Sequence, residues 1–472
     1  MSNNSSRINY LIKNTLTFAL GNVGTKLINF FLVPLYTNYL LDHEYGTVDL
    51  IITLGSFIVP VLIFNINEAV MRFSLDKNAD HNSIMSTGII SLFSMMLLAT
   101  VLYPLIQLYE PLAPYSLYVY LYFISSGFST VFLYNLRGKE QLFSFSIGSI
   151  ISALFTAVLS IIFLKVFNWG IEGFLLSYII SNFITAIYSF YTGKVIDTFK
   201  HFKVDFKLIG DMLKYSILLI PNSFMWWIMN ASSRVMLTAM IGIGSSGLYA
   251  VANKLPSLIS VVSSVFNQAW NYSAIKEDDS TDREKFNNIV FHYLVGVVCL
   301  CGTMLTVFIK PIMSVYVEDS YFSSWLFTPP LIFGACILVL STFLSSQYTV
   351  NKDSRGFLLS AIVGAIVNIG LSLLLIPYIG EIGAALATCV SYCAVFIYRT
   401  IDIKKYINIK VFSPSHIATY ILLTISVCAV YIDTYGYIIG TVAILMMTLI
   451  YIKDIRCAFV IFIGRMKNNR IK

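Results

Sequence analysis

The chain has 472 residues, of which 57% are hydrophobic and only 12% charged, and its mean hydropathy is +0.78. These values exclude an ordinary soluble domain. The formal net charge of +7 is no nucleic-acid signal, because it is largely a loop excess of Lys and Arg that anionic inner-leaflet lipids attract.

Residues Met1 to Lys13 are polar, and the first apolar run is already a full span, so no cleavable signal peptide is expected. About 20 apolar residues cross the hydrocarbon core. On that measure the chain reads as an all-α integral membrane protein with about fourteen transmembrane helices. The expected spans are 14–36, 47–70, 84–107, 115–136, 142–164, 169–192, 214–241, 247–272, 288–310, 325–349, 356–377, 381–400, 415–432 and 435–452. Gly21, Gly24, Pro34, Pro60, Pro221 and Pro256 interrupt them, which membrane helices tolerate where neighbours or a wet cavity satisfy the freed backbone groups.

Charge orients these spans. Of the 31 Lys and Arg residues, 26 fall in the two termini and in alternate connections, among them Arg72, Lys139, Lys203, Arg283, Arg399 and Lys410. Only Lys165 and Lys310 occupy the opposite loops. The positive-inside rule then puts both termini in the cytoplasm. Three cations, Lys26, Arg234 and Lys254, remain inside apolar segments.

No connection exceeds roughly 22 residues, too few for a soluble catalytic domain of at least about 50, and no phosphate-binding loop is present. An enzyme, ATP hydrolysis and nucleic-acid binding are not expected. The seven Cys contain no Cys-x-x-Cys pair, so no disulfide, metal or other cofactor is expected either.

The longest hydrophilic connection, 193–213, divides the chain, and its two sides look related. Gly170-Ile-Glu-Gly173 aligns with Gly380-Glu-Ile-Gly383 at an offset of 210, which carries Ser181 onto Ser391 and Tyr188 onto Tyr398. One span earlier, Ala153 and Ser160 meet Ala365 and Ser372 at an offset of 212. Tyr45 opens the second span much as Tyr249 opens the eighth. The expected organisation is an N-lobe (1–206), a C-lobe (207–410), and two further helices with a basic tail (411–472). Both halves start on one face, so the repeat is parallel, which implies two six-helix lobes around a central cavity.

Several passages carry a family resemblance. Asn14-Thr-Leu-Thr-Phe-Ala-Leu-Gly21 runs on to Phe31-Leu-Val-Pro-Leu-Tyr-Thr-Asn-Tyr-Leu40 and Glu44-Tyr-Gly46. Asn67-Glu-Ala-Val-Met-Arg-Phe73 and Gly247-Leu-Tyr-Ala-Val-Ala-Asn-Lys254 follow. In these passages and in its six-six-two organisation the chain resembles a polysaccharide flippase of the multidrug/oligosaccharidyl-lipid/polysaccharide exporter superfamily. Where that family often has glycine before the Arg-Phe pair, this chain has Asn65 and Asn67, which bears on the cytoplasmic end of the second helix.

An unpaired cation deep in a membrane costs several kcal/mol, so each of the three should face an aqueous cavity or a partner. Their functional reading is a cationic cavity holding the head group of a polyprenyl-pyrophosphate-linked oligosaccharide. Arg suits it through forked hydrogen bonds and Lys as a point charge. The resemblance implies the same role for basic residues on the first, seventh and eighth helices. The structural alternatives are a carboxylate partner for Lys26 and snorkelling for Lys254. Glu68 and Arg72, spaced i, i+4, form either a local ion pair or a gate latch, and Asp49 is a candidate for ion coupling. Trp226, Trp227 and Trp270, with Asn230, Asn267 and Gln268 nearby, either line a sugar path or belong to interfacial belts. His292 and His416 read as interfacial. The stretch from Ile452 to Lys472 suits an interfacial helix.

The resemblance implies a lipid-linked oligosaccharide flippase working by alternating access in cell-surface polysaccharide (O-antigen, capsule or exopolysaccharide) biosynthesis. Its partners would be membrane lipids and the polysaccharide polymerase and chain-length machinery. The alternatives are an ion-coupled multidrug antiporter of the same fold, against which the mostly basic deep charges count, and a peptidoglycan lipid precursor flippase.

Overall fold

A computed structural model describes residues 21, 23–76, 79–276, 282–351 and 353–452. Among them there is no strand, as expected for a chain that must satisfy its backbone inside lipid. The interfacial helix expected from Ile452 onward lies almost wholly outside the described residues. Contact clustering yields two compact units, one of Met1–Val251 with Tyr316–Tyr321, the other of Ala252–Val315 with Phe322–Lys472.

In the first unit, a helical stretch over 23–31 leads into α1 (Val33–Tyr39), α2 (Asp42–Leu62) and α3 (Ile66–Ser74). The second expected span is thus broken at its far end. Phe64 and Asn65 both take φ of +54°, the left-handed region that Asn tolerates better than most residues. The Asn65 amide donates to the Pro60 carbonyl at 2.6 Å. The asparagine that stands where the resembling family often has glycine is therefore the hinge between α2 and α3. Next come α4 (His81–Leu108), α5 (Ser116–Gly138), α6 (Leu142–Ser160) with a π-helical turn over Ile161–Val166, α7 (Gly170–Thr192) and the short α8 (Val195–Lys200). Helix α9 (Phe206–Met240) packs on α2, α3 and α4, and α10 is Ile243–Ala252.

In the second unit, α11 (Lys254–Lys276), α12 (Arg283–Val307) and α13 (Ile309–Tyr316) are followed by α14 (Thr328–Val350), which packs against α11, α12 and α15. Helix α15 (Ser354–Asp402) joins two expected spans across a kink at Ile379 and Gly380. Helices α16 (Pro414–Ala429) and α17 (Asp433–Ile450) pack on each other and on α12. Eight helices among the described residues are long and apolar enough to cross a membrane, and α16 and α17 are apolar but shorter. The expected eighth span is interrupted at Asn253, between α10 and α11.

The repeat read from the sequence has a structural counterpart. Gly170 and Gly380 both take positive φ, +54° and +55°, a conformation that glycine adopts without steric cost. Thr156 and Ser181 hydroxyls bond at 2.7 Å across α6 and α7. Asn368 Nδ2 donates to Ser391 Oγ at 3.4 Å between the two limbs of α15. The aligned offsets of 212 and 210 carry the first pair onto the second. The two hairpins thus each carry a polar contact at the aligned positions, hydroxyl to hydroxyl in one and carboxamide to hydroxyl in the other.

A second symmetric feature lies within the first unit, where the start of α2 crosses α10 backbone to backbone. A Cβ on Gly46 would overlap the Ile243 carbonyl, and one on Gly247 would overlap the Asp42 carbonyl. Each contact is carried onto the other by a shift of 201 residues, from 42 to 243 and from 46 to 247. Small residues permit such close helix approach in membranes, where no hydrophobic effect drives helices together.

Candidate functional site

Helices α2 and α9 bring together a carboxylate and a guanidinium that the sequence had flagged separately. Asp49 lies seven residues from the start of α2 and Arg234 six residues from the end of α9. At 1.5 Å per residue both sit about 10 Å from their helix ends, at matching depth. Arg234 Nη1 donates to Asp49 Oδ2 at 3.2 Å, to Asp49 Oδ1 at 3.3 Å and to Thr53 Oγ1 at 3.3 Å. Thr53 lies one turn beyond Asp49 on the same face of α2, which is why it shares the guanidinium. The Asp49 side chain is 8% exposed and that of Arg234 is 22% exposed. The carboxylate is enclosed, while the arginine side chain is partly exposed.

An aromatic wall stands one turn further along. Trp227 Nε1 donates to the Thr53 carbonyl at 3.0 Å. Its ring lies 5.3 Å from Phe57 and stacks on Phe224 at 6.4 Å. Trp226 is half-buried, and its carbonyl accepts from Asn230 Nδ2 at 2.6 Å, within the exposed side of α9. The stretch from Trp226 to Arg234 therefore presents an indole, a carboxamide and a guanidinium along two turns of one helix.

The other residues read from the sequence fall elsewhere. Lys26 is exposed on the helical stretch over 23–31. Lys254 is half-buried at the first position of α11, in the second unit. Arg72 pairs with Asp76 at 2.7 Å, so the local ion pair considered for Glu68 and Arg72 is made with a different carboxylate. Both pairs have i, i+4 spacing, and Asp76 lies on the far side of Arg72, past the end of α3. Glu68 instead lies beside the Tyr134 hydroxyl. Trp270 is 4% exposed, donates from Nε1 to Ser346 Oγ at 3.0 Å and stacks on Phe343 at 4.6 Å. Asn267 Nδ2 donates one turn back to Ser263 Oγ. The Gln268 side chain lies outside the described ones. His292 and His416 form a pair, Nδ1 to Nε2, at 3.0 Å. No group of three potential metal ligands occurs among the described residues.

Arg399, counted among the loop cations by its position in the sequence, is fully buried. Its Nε donates to Ser360 Oγ at 3.0 Å and its Nη1 to the Ser341 carbonyl at 2.9 Å, and it lies over the Phe357 ring. Nearby, outside the membrane-spanning stretch, Asp353 caps α15. Its carboxylate accepts from the Gly356 amide, Lys405 Nζ and the Tyr406 hydroxyl at 2.9, 3.0 and 2.9 Å. The amide bond, then the lysine and tyrosine, hold its pKa down at about 2.

Comparison with known proteins fits this architecture. The full fold is similar to that of a lipid II flippase MurJ in an inward closed conformation, with a TM-score of 0.62 at 14% identity, covering 94% of this chain and 99% of that one. It is similar too to an inward-facing multidrug resistance MATE family transporter of the MOP superfamily, with a TM-score of 0.62 at 12% identity over 82% and 95% of the two chains. In sequence, 82 residues are 34% identical to a probable lipid II flippase MurJ of Thermotoga maritima, a match spanning 17% of either chain. Residues 11–272 match the family model described as polysaccharide biosynthesis protein, a stretch that contains α1 to α10 and the Asp49–Arg234 pair. The chain belongs to the polysaccharide biosynthesis protein family.

Proposed function

We propose that this protein is a flippase that moves a polyprenyl-pyrophosphate-linked oligosaccharide repeat unit from the cytoplasmic to the opposite leaflet of a bacterial inner membrane. It would do so by alternating access, with both termini cytoplasmic, in the assembly of a cell-surface polysaccharide such as O-antigen, capsule or exopolysaccharide. The observation that carries the reading is the Asp49–Arg234 pair, in which the Arg234 side chain is partly exposed while its partner Asp49 is enclosed. A pyrophosphate head group is the part of such a substrate that does not vary with its sugars. An arginine recognises it through charge-assisted hydrogen bonds. Lys26 supplies a second cation in the same unit, Trp226 and Asn230 offer stacking and hydrogen bonding to sugars, and Asp49 holds the guanidinium when no substrate does.

The test is rescue of surface glycan in a strain lacking its own polysaccharide flippase, at matched membrane expression. Wild type restores the glycan, Arg234→Ala does not, and Lys26→Ala restores it partially. Full rescue by both variants refutes the cationic site. Lys254→Ala in the same assay decides whether the second unit supplies a further essential cation. The second reading, an ion-coupled multidrug antiporter, is favoured by one observation, the buried carboxylate of Asp49. It takes over if wild type restores no glycan but lowers drug sensitivity in an Asp49-dependent way. Rescue of a strain depleted of its lipid II flippase would reassign the cargo to the peptidoglycan precursor.

A further inference from the structure

At the end of α15 an apolar stripe runs into a pair of lysines. Val390, Ile397 and Ile401 recur at helical spacing on one face and are 44%, 51% and 64% exposed. Lys404, at i+7 from Ile397, continues the same face into the short helical turn Ile403–Lys405. Beyond it the segment 406–413 crosses back to start α16. Ile397, Ile401, Lys404, Lys410, Phe412 and Ser413 are among the residues lining a cavity of about 450 Å³ there.

The crossing segment is held rigidly. The Lys410 amide donates to Asn288 Oδ1 at 2.7 Å, Asn288 Nδ2 donates to the Asn408 carbonyl at 3.1 Å, and the Lys410 carbonyl accepts from His416 Nδ1 at 3.0 Å. The backbone of Lys410 is thus fixed while its side chain is exposed. Neither Lys404 nor Lys410 enters an ion pair among the described residues, whereas neighbouring Lys405 bonds both Asp353 and Asp402. The first turn of α16 faces the same cavity through Ser413 and Pro414, and a helix N-terminus adds favourable potential for an anion.

An exposed apolar stripe along a membrane helix, ending on two exposed lysines beside a helix N-terminus, has the profile of one amphiphile. We infer that this cavity is a binding site for an anionic glycerophospholipid of the leaflet on the basic-loop side. Its phosphate lies between Lys404 and Lys410, and an acyl chain runs along Phe412, Ile401 and Ile397. Lipid phosphate recognition by juxtamembrane lysines is electrostatic, and apolar contact supplies the rest. The site is remote in sequence from the Asp49–Arg234 pair, and the inference stands whether or not the flippase reading does.

The test uses the purified full-length protein, delipidated in detergent and titrated with phosphatidylglycerol or with phosphatidylcholine of the same chains, bound lipid being counted by native mass spectrometry. Wild type is expected to hold one phosphatidylglycerol with roughly tenfold or greater preference over phosphatidylcholine. The double substitution Lys404→Gln, Lys410→Gln removes that preference and leaves phosphatidylcholine binding unchanged. Both side chains are exposed, so the double variant should melt like wild type, and Lys404→Gln alone should give an intermediate preference. Equal phosphatidylglycerol binding by wild type and double variant overturns the site. So does equal retention of both lipids by wild type, which marks an ordinary annular contact. Displacement of the lipid by undecaprenyl phosphate at lower concentration than by phosphatidylglycerol itself also overturns it, by making the cavity a cargo site.

Discussion

Separating the carboxylate from the guanidinium of the first unit should expose an asymmetry set by their different burial. With Arg234→Gln, Asp49 keeps its place in α2 at 8% exposure and loses a cation that bridged both its oxygens. Removing one partner of a buried pair costs about 3–5 kcal/mol, and a carboxylate this enclosed belongs near the lower half of that range, at about 3. With Asp49→Asn, the guanidinium keeps the Thr53 hydroxyl, and its 22% exposure lets water take the vacated position. That change should cost about 1–2 kcal/mol, close to the price of an unmet polar group. The double variant has no unmatched charge, so it should cost less than the two single changes together by about 2 kcal/mol. Reversible denaturant unfolding of the four proteins in one detergent measures all of these. Additivity within about 0.5 kcal/mol would mean that the two groups do not interact, and the placement of α9 against α2 would then be wrong. A larger loss for Asp49→Asn than for Arg234→Gln would refute the burial argument specifically. In the glycan assay the order is the same for a different reason, since Asp49→Asn keeps the cation that the proposed substrate needs.

Three other changes probe separate features. Gly46→Ala or Gly247→Ala places a methyl group against a backbone carbonyl that no rotamer change can move. Each should cost about 1–3 kcal/mol as overpacking and lower the melting temperature, whereas Gly210→Ala, with open space around it, should not. Arg399→Lys should fail to replace arginine, since one ammonium cannot reproduce the separate bonds from Nε and Nη1. A loss of about 1–3 kcal/mol in detergent unfolding is expected from the buried hydrogen bonds that the ammonium leaves unmade, with full stability of Arg399→Lys as the contrary result. Asp353 is held at about 2, below its usual value of 3.8, so between those values the unfolded chain binds more protons than the folded one. Its stabilisation is complete above pH 4 and is lost as pH falls toward about 2. The melting temperature of Asp353→Asn should therefore fall less steeply than that of wild type over that window, and parallel curves would show that the cap does not couple to unfolding.

What the sequence made legible follows from how far each signal reaches along the chain. Hydropathy is local, so most expected spans lie within a few residues of observed helices: 169–192 against Gly170–Thr192, and 325–349 against Thr328–Val350. The Gly170 and Gly380 match was legible too, because a left-handed backbone position selects glycine in both copies. The interruption at Asn253 was not, since nothing polar enough to end an apolar run precedes it. Asp49 and Arg234 were each singled out, yet their pairing across 185 residues is a property of how α9 packs on α2. Charges of opposite sign inside apolar spans were the available signal, but the expected spans put Asp49 nearer its span end than Arg234, and only the observed ends of α2 and α9 bring them to matching depth. Trp270 illustrates the opposite case, in which an aromatic flanked by polar residues suggested a sugar path. Its indole N–H is instead taken by Ser346 and its face by Phe343.

The two arginines show why position along a span is a poor guide to the task of a charge. Arg399 stands at the end of an expected span and reads as a loop cation, while Arg234 reads as the deep one. Their surroundings reverse that order. Arg399 is wholly enclosed and bonded to a serine hydroxyl and a backbone carbonyl on neighbouring helical segments, so no ligand can reach it without opening the packing of α14 and α15. Arg234 is held by an ionised side chain, and part of its surface is open. A carboxylate is the protein group closest in chemistry to a phosphate oxygen, so a phosphate oxygen can take its place on the guanidinium. A bond to a backbone carbonyl offers no such exchange. Under the proposed function, Asp49 therefore sets the affinity: it keeps the empty carrier from holding a bare cation in lipid, and every bound head group must displace it. Asp49→Asn should then bind a pyrophosphate lipid more tightly and release it more slowly than wild type, and unchanged binding in that variant would show that the head group does not meet Arg234.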